Sequence, residues 1–395
     1  MTNNYPKAIL WFIFILISLA LIIGCNQQKD ILPEEGSGAP SSNLIENQNE
    51  LMAKEACEIA GGIQCGENEV CLTKKVDLDD APQCCSDKWR CKINNNCCVN
   101  QKEATTDNMV LIPSGAFFMG REDREGWSPM ANPQQFNDEL PLHEVNVNAF
   151  YIDKFEITNQ QFKEFIDATG YITDAEDIGK SAVMVSANEA NEPVQGTDIG
   201  WKLIEGATWR NPEGPNSNII DRMNHPVIHV SWNDASAYAK WIGKRLPTEA
   251  EWEKAARGDS KTNWFWSDSI EDTTYPAGKY QNIYAEHRIE YQYPDGVYDG
   301  YSGTAPVGSF KPNNYGLYDT SGNVFEWVAD WYQYDYYTIS PKEDPKGSAN
   351  GTEKVIKGGS WYLCECFTRP ANRNSADPVR SEHGLGFRLA LDEKD

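Results

Sequence analysis

The order of hydrophobic and polar residues predicts short strands and three helices in the middle of the chain. From Met109, the sequence MVLIPSGAFFMG predicts a strand, a turn and a second strand, and residues 143–157 alternate as a strand does. Helices are predicted to start at Thr158, Ser231 and Thr248. Each of these residues is followed three positions later by Gln, Asp or Glu, the spacing of a capping box.

Beyond residue 260 the hydrophobic periodicity is lost, and the sequence becomes rich in aromatic residues, Gly and Asn. We expect loops and short strands around buried tryptophans in this half, and therefore an α+β domain with little regular secondary structure. A loop-rich domain of this size needs added stabilisation, such as bound ions. The tryptophans are interpreted as core rather than as a sugar-binding platform: Trp232, Trp241, Trp252, Trp327, Trp331 and Trp361.

The N-terminus has the pattern of an export signal. Lys7 precedes an apolar run of 16 residues, Ala8 to Ile23, and Gly24 then precedes Cys25. The run is shorter than the ~20 residues of a membrane span, and the Gly-Cys junction resembles a bacterial lipobox. Residues 1–24 are thus predicted to be a lipoprotein signal peptide, with a lipid anchor on Cys25; the alternative is an uncleaved anchor. Either way, the protein is expected to be exported, extracytoplasmic and attached to the cell membrane.

Two further segments precede the main domain. Residues 25–55 are polar and predict a flexible tether. Residues 56–99 hold eight cysteines, an even number that favours a small disulfide-rich module with undetermined connectivity. Zinc is the alternative, but the segment lacks paired C-x-x-C knuckles. The eight positions are Cys57, Cys65, Cys71, Cys84, Cys85, Cys91, Cys97 and Cys98.

Charge excludes one class of partner and leaves others open. The formal net charge is −24, which repels phosphate backbones, so we expect no nucleic-acid partner. An acidic surface also suits calcium, although solvated acids alone identify no ligand. The five histidines are scattered without metal-ligand spacing, and we find neither a phosphate-binding Gly loop nor a recognisable Ser-His-Asp arrangement.

Three blocks carry a family resemblance: PVIHVSWNDASAYAKWIGKRLPTEAEWEKAARG, GTAPVGSFKPNNYGLYDTSGNVFEWVADWY, and VIKGGSW with RPANR and LGFRLA downstream. Together they resemble the formylglycine-generating enzymes, or sulfatase-modifying factors, from about Met109 to Leu391. The domain is assigned to residues 105–395. The resemblance implies a fold related to C-type lectins and two bound calcium ions.

The implied calcium ligands are all oxygens, which hard cations prefer. One site would use the side chains of Asn282 and Asp299 with the carbonyls of Ile283 and Tyr301. The other would use the side chains of Asp319 and Glu326 with the carbonyls of Gly322 and Val324. Arg388 is expected to pair with an internal acid.

The resemblance also implies an active site at Cys364, Cys366 and Ser360, with copper(I) on the two thiolates. Arg369 or Arg373 could favour thiolate formation. In the family the first cysteine usually follows the serine by three residues, with four residues between the cysteines. Here it follows by four with one between, so the family position of each cysteine stays open.

Three interpretations of the pair remain. In an extended segment its Cα atoms would lie roughly 6.6 Å apart, near the upper limit of about 6.8 Å for a disulfide. The pair could therefore be a copper or redox site, a structural or resting disulfide, or free thiols without a function.

We therefore predict a membrane-anchored oxidase that converts a cysteine of a sulfatase-like polypeptide to formylglycine. The alternative is a non-catalytic, calcium-stabilised binding or scaffold lipoprotein with a surface protein partner. A sulfoxide synthase using non-haem iron is disfavoured because we find no accompanying histidine set.

Overall fold

The computed structural model describes residues 63–64, 69–71, 89–90, 98–122, 133–193, 199–268, 280–282 and 299–393. These residues contain the α-helices α1 (Asn159–Thr169), α2 (Asp174–Ile178), α3 (Trp232–Trp241) and α4 (Glu249–Arg257). Short 3-10 helices span Pro133–Glu139, Ile220–Arg222, Tyr336–Thr338 and Glu365–Phe367. The strands are β1 (Ile63–Gln64), β2 (Glu69–Cys71), β3 (Trp89–Arg90), β4 (Cys98–Asn100), β5 (Met109–Ile112), β6 (Gly115–Met119), β7 (His143–Val147), β8 (Phe150–Asp153), β9 (Lys180–Ser186), β10 (Glu192–Pro193), β11 (Ile199–Glu205), β12 (Phe325–Trp331), β13 (Lys354–Lys357), β14 (Asn374–Ala376), β15 (Leu385–Gly386) and β16 (Ala390–Asp392).

The three predicted helices are confirmed, each with its capping box. In α1, the Thr158 hydroxyl accepts from the Gln161 N–H, and the Gln161 side chain accepts from the Thr158 N–H. Gly170 ends this helix in the left-handed conformation, as the sequence suggests. The five-residue helix α2 was not predicted, because one turn is too short to show a hydrophobic period.

The strand predictions are confirmed in kind, but the segment from residue 143 divides. It forms β7 and β8, which are separated at Asn148 and Ala149. There the Asn148 N–H donates to the Asp344 carboxylate at 2.8 Å, a contact with a loop almost 200 positions later. β5 and β6 follow one another in the chain but pair with β8 and β7 respectively.

The described residues between 109 and 392 form four sheets. The sheet that positions the site has the order β14-β13-β12-β15, with β13 antiparallel to both neighbours and β15 parallel to β12. The other sheets have the orders β16-β8-β5, β10-β11-β9 and β6-β7. β14 is thus an outer strand of its sheet.

Aromatic residues form the largest core cluster, as predicted for the tryptophans. Phe162 of α1 packs edge-on against Trp209 at 5.3 Å and lies 5.9 Å from Tyr238 of α3 between ring centroids. Trp327 of β12 is buried in the same cluster. Truncating one such ring to Ala costs ~3–5 kcal/mol in typical cores, so these contacts hold α1 and α3 against the central sheet.

The N-terminal predictions fall mainly outside the described residues. The signal peptide, Cys25 and the tether lie outside them, as do Cys57, Cys65, Cys84, Cys85, Cys91 and Cys97. In the cysteine-rich segment, β2 pairs with β4 so that Cys71 stands opposite Cys98 in the backbone ladder. None of the helices in the described ranges is long and apolar enough to cross a bilayer.

Candidate active site

The cysteine pair lies on a tight turn that two glycines bring back against the end of β13. Gly358 and Gly359 both have positive φ, 93° and 74°. A Cβ on Gly359 would lie 2.8 Å from the Thr368 side chain and 2.9 Å from the Phe367 carbonyl oxygen. Only glycine allows this approach, so the Gly-Gly sequence closes the loop that carries Cys364 and Cys366.

Cys364 and Cys366 are joined by a disulfide in the structure, with their Cα atoms 5.5 Å apart. The extended segment considered from the sequence is wrong, because Glu365–Phe367 forms a single 3-10 turn that shortens the spacing. The distance lies within the ordinary range for a disulfide. Cys366 is 1% exposed whereas Cys364 is partly exposed, so a substrate can reach Cys364 first.

The two arginines proposed to favour a thiolate both form buried ion pairs with glutamates, and their effect on the thiols stays a prediction. Arg369 makes a bidentate, fully buried ion pair with Glu139 at 2.6 and 2.7 Å. Arg373 pairs in the same way with Glu249 at 2.7 and 3.1 Å. Arg369 instead donates from Nε to the Cys366 carbonyl oxygen at 3.0 Å, so it holds the backbone of the turn.

Ser360 is fully buried and bonds to the backbone. Its hydroxyl donates to the Gly384 carbonyl oxygen at 3.0 Å and lies 3.3 Å from that of Asn323. Gly384 packs so closely that an added Cβ would lie 2.3 Å from Ser360 Oγ and 2.4 Å from a ring carbon of Tyr362. These contacts suit a serine that positions the turn.

A cleft of about 540 Å³ adjoins the cysteine turn, and Leu363 and Phe367, on either side of the pair, line it. Its wall includes Trp201 of β11, which packs edge-on against Tyr362 at 5.0 Å. Tyr362 donates to Glu382 at 2.7 Å, and burial followed by the nearby Glu382 charge raises the tyrosine pKa well above its usual value. The phenol therefore stays protonated. This wall was not predicted from the sequence, although Tyr362 directly follows the VIKGGSW motif.

Of the first predicted calcium set, the structure describes Asn282, Asp299 and Tyr301. Asn282 is buried, and its amide donates to the Gly303 carbonyl oxygen at 2.9 Å. The Asp299 carboxylate accepts from the Tyr301 N–H at 2.8 Å. Tyr301 precedes Gly303 by two residues. Ile283 lies outside the described residues.

The second predicted calcium set has a buried excess of negative charge. Both carboxylate oxygens of Glu326 accept from Arg388, at 2.6 and 2.7 Å, which confirms that Arg388 pairs with an internal acid. Trp252 Nε1 also donates to Glu326 at 2.7 Å. Asp319 accepts from the Gly308 N–H at 2.6 Å, but its Oδ1 is buried and has no hydrogen-bond partner among the described residues.

Glu156, which the sequence analysis missed, joins this buried group. One of its oxygens accepts from Asn323 at 2.8 Å, while Oε1 has no hydrogen-bond partner in the described structure. Burial, followed by the charges of Asp319 and Glu326, raises the Glu156 pKa well above its usual value. Burial likewise raises the pKa of Asp319 to about 6. Because Arg388 is committed to Glu326, a cation next to Glu156 and Asp319 would neutralise both.

Side chains alone do not form a complete metal site in the described part of the chain. Among the described residues, no three or more His, Cys, Asp or Glu side chains are arranged to hold one metal ion. A calcium ion at Asp319 would thus need carbonyl oxygens as well, as the resemblance implies for Gly322 and Val324. His229 is buried, and its ring lies 5.5 Å from that of His383 between centroids, consistent with a structural role.

Comparisons with known proteins show the family of this chain. The family described as "Sulfatase-modifying factor enzyme 1-like domain" matches residues 96–393. A formylglycine-generating enzyme from Thermomonospora curvata is 44% identical over 299 residues, covering 72% of this chain and 93% of that enzyme. The inactive Cα-formylglycine-generating enzyme 2 of Bos taurus is 37% identical over 299 residues, covering 72% and 88%.

A solved structure adds support for the fold. The structure of PvdO from Pseudomonas aeruginosa aligns with a TM-score of 0.52 at 30% identity, covering 72% of this chain and 94% of that one. The match spans the domain that carries the glycine turn, the cysteine pair and the cleft. The chain therefore belongs to the sulfatase-modifying factor family, to which the formylglycine-generating enzymes also belong.

Proposed function

We propose that this protein oxidises a cysteine of a polypeptide substrate to formylglycine at Cys364 and Cys366. The observation that carries the proposal is a cysteine pair beside an open cleft, in a chain 44% identical to a formylglycine-generating enzyme along most of that enzyme. The substrate side chain CH₂–SH would become an aldehyde. Molecular oxygen and two electrons from a thiol reductant would be consumed, and hydrogen sulfide and water released.

The reduced pair suits copper(I) as a cofactor. Two thiolates on adjacent sides of one turn are soft donors, which select this ion. Copper(I), when bound, would supply the activation of oxygen. Cys364 would meet the substrate because it is the more exposed of the two, while Arg369 and Ser360 would hold the turn in place.

The decisive experiment uses purified, reduced protein with copper(I) and a Cys-x-Pro-x-Arg peptide in air. We expect mass spectrometry to detect the peptide aldehyde, and Cys364→Ser and Cys366→Ser variants to lose at least ~100-fold of the rate, as removal of a nucleophile or metal ligand typically does. Circular dichroism should show both variants folded. Equal aldehyde formation by the double variant would refute the role of the pair.

A second candidate is a non-catalytic binding protein. The observations that favour it are the relative named inactive and the shortened cysteine spacing. If folded, copper-loaded protein makes no aldehyde but still binds the peptide, this candidate is preferred.

We also propose that two calcium ions stabilise the domain, at the oxygen sets of Asn282 with Asp299 and of Asp319 with Glu326. The unpaired buried oxygens of Asp319 and Glu156 support the second site. Calcium at 100 times its dissociation constant should raise the free energy of unfolding by ~2.7 kcal/mol for each site occupied. Thermal unfolding with calcium or a chelator tests this, and Asp319→Asn should reduce the difference; no calcium effect would contradict it.

Finally, we propose that the mature protein is exported and anchored through a lipid on Cys25, with the eight cysteines of residues 56–99 paired in disulfides. A Cys25→Ala variant should fail to incorporate radiolabelled fatty acid in a bacterial host. Incorporation by this variant equal to that of the native chain would contradict the anchor.

A further inference from the structure

The free edge of β14 offers unpaired backbone groups next to the cleft. β14 is the outer strand of its sheet, and its register pairs Asn374 with Ile356 of β13. In an antiparallel pair, alternate residues direct both N–H and C=O toward the neighbour, and the others direct them away. No other described residue makes a backbone hydrogen bond to Asn374–Ala376, so the outward groups are available.

The cleft reaches this edge. Asn374, Ser375, Ala376 and Asp377 all line it. Consecutive strand residues point to opposite faces of a sheet, so a cavity that touches all four includes the edge of β14. Ile356 of β13 and Phe325 of β12 also line the cavity, which therefore continues from this edge over one face of the sheet. The same cavity is lined by Leu363 and Phe367, which flank the cysteine pair. An extended segment along β14 would thus lie in the cleft that adjoins the cysteine turn.

The rim of the cleft carries negative charge that the described residues do not neutralise. Glu353 accepts from the Ser375 hydroxyl and Asp377 from the Val379 N–H, and neither has a salt bridge to a described cation. By contrast, Glu382 is paired with Arg380 at 2.5 Å. Two exposed carboxylates therefore favour a ligand with a basic side chain.

We propose that the polypeptide substrate binds as an additional strand on the free edge of β14, with a basic side chain near Glu353 and Asp377. Main-chain hydrogen bonds would supply affinity and the alternate side chains specificity, as in other cases of strand addition. The choice of a cysteine-containing polypeptide rests on the proposed function, whereas the binding mode is independent of oxidation.

The proposal fixes which peptide N–H groups matter in a Cys-x-Pro-x-Arg ligand. Proline has no N–H, so its backbone must face away from β14. Because the strand period is two, the cysteine and arginine positions also face away, and the two x residues face β14.

The test measures fluorescence anisotropy of the full chain with a labelled Ala-x-Pro-x-Arg peptide, which cannot be oxidised. Methylating the backbone nitrogen of either x residue should weaken binding about fivefold or more, the value of one main-chain hydrogen bond. Methylation at the Ala or Arg position should change affinity less than about twofold, because those N–H groups make no bond to the strand.

Absence of peptide binding, or weakening that does not alternate along the peptide, would overturn the proposal. Alternating weakening without oxidation of the cysteine peptide would instead refute the proposed function and leave this inference standing. The two failures are thus distinguishable.

The predicted contact between a basic side chain of the ligand and these two acids is tested by the isosteric double variant Glu353→Gln with Asp377→Asn. At low salt it should bind the arginine peptide about two- to fivefold more weakly, in the range of exposed ion pairs. A peptide with glutamine in place of arginine should bind both proteins equally. Asp107→Asn, an exposed acid before β5, is the control, and an unchanged arginine preference would overturn this part.

Discussion

At the scale of single residues, the site depends on a glycine where the structure leaves no room for a side chain. Gly384 lies against both Ser360 Oγ and the Tyr362 ring. Ser360 in turn anchors the start of the cysteine turn, and Tyr362 forms the wall of the cleft. A substitution at residue 384 should therefore shift Ser360 or Tyr362 and disturb the site, although residue 384 is not in the cysteine turn.

We predict that Gly384→Ala lowers stability by ~1–3 kcal/mol, the usual cost of overpacking, and reduces peptide oxidation. The added Cβ must displace Ser360 or Tyr362. Thermal unfolding and the aldehyde assay measure the two effects. Gly303→Ala is the control, since its Cβ would meet nothing within 4 Å; equal behaviour of the two variants would contradict the prediction.

The sequence identified residues with distinctive chemistry and missed those that matter through their surroundings. Cys364, Cys366 and the pairing of Arg388 were recognisable from motif and charge. Glu156 was not, because an acid between Phe155 and Ile157 gives no sign of its burial. Trp201 was missed because it reaches the cleft from a strand that is distant in sequence.

At the scale of elements, helices with local sequence signals were predicted, whereas the pairing of strands that lie apart in the chain was not. The three capping boxes located α1, α3 and α4 because each is a local hydrogen-bond pattern. The sheet of β9, β10 and β11 was not predicted, since strand pairing depends on partners elsewhere in the chain. The turn of residues 365–367 was not predicted from the sequence either, because contacts with Arg369 and with Gly359 determine its shape.

We predict that Arg369→Lys destabilises the domain by ~2–5 kcal/mol, because lysine cannot replace the buried bidentate contact with Glu139, which among the described residues would keep only Arg121 and Asn372 as its other side-chain partners. It should also release the Cys366 carbonyl and lower oxidation of the peptide. Chemical denaturation provides the measurement. In a Glu139→Gln background the same substitution should cost less, and an equal cost in both backgrounds would exclude coupling of the pair.

At the scale of the whole molecule, net charge does not reveal which acids are buried. The chain carries −24, yet the acids that matter for stability lie inside. Burial, with a smaller effect from Glu249, raises the pKa of Asp330 to about 8. The relation of the fold to C-type lectins stays a prediction.

We predict that stability falls as pH rises from about 5 to 8 in the presence of a chelator. The folded state keeps a proton on Asp330 that the unfolded chain, with an aspartate pKa near 4, releases. One such group contributes a slope of about 1.4 kcal/mol per pH unit. Asp330→Asn should make the slope less steep, although Asp319 and Glu156 still contribute to it. Asp335→Asn, an exposed acid, should not change the slope; equal slopes in the two variants would contradict the assignment.

The large sequence separation of the Arg369–Glu139 pair has a consequence for folding during synthesis. The two residues are 230 positions apart, and β16, which pairs with β8, is synthesised later still. On the ribosome, Cys364 and Cys366 therefore emerge before the domain that buries Cys366 is complete. We expect a chain that ends before β16 to leave Cys366 open to alkylation.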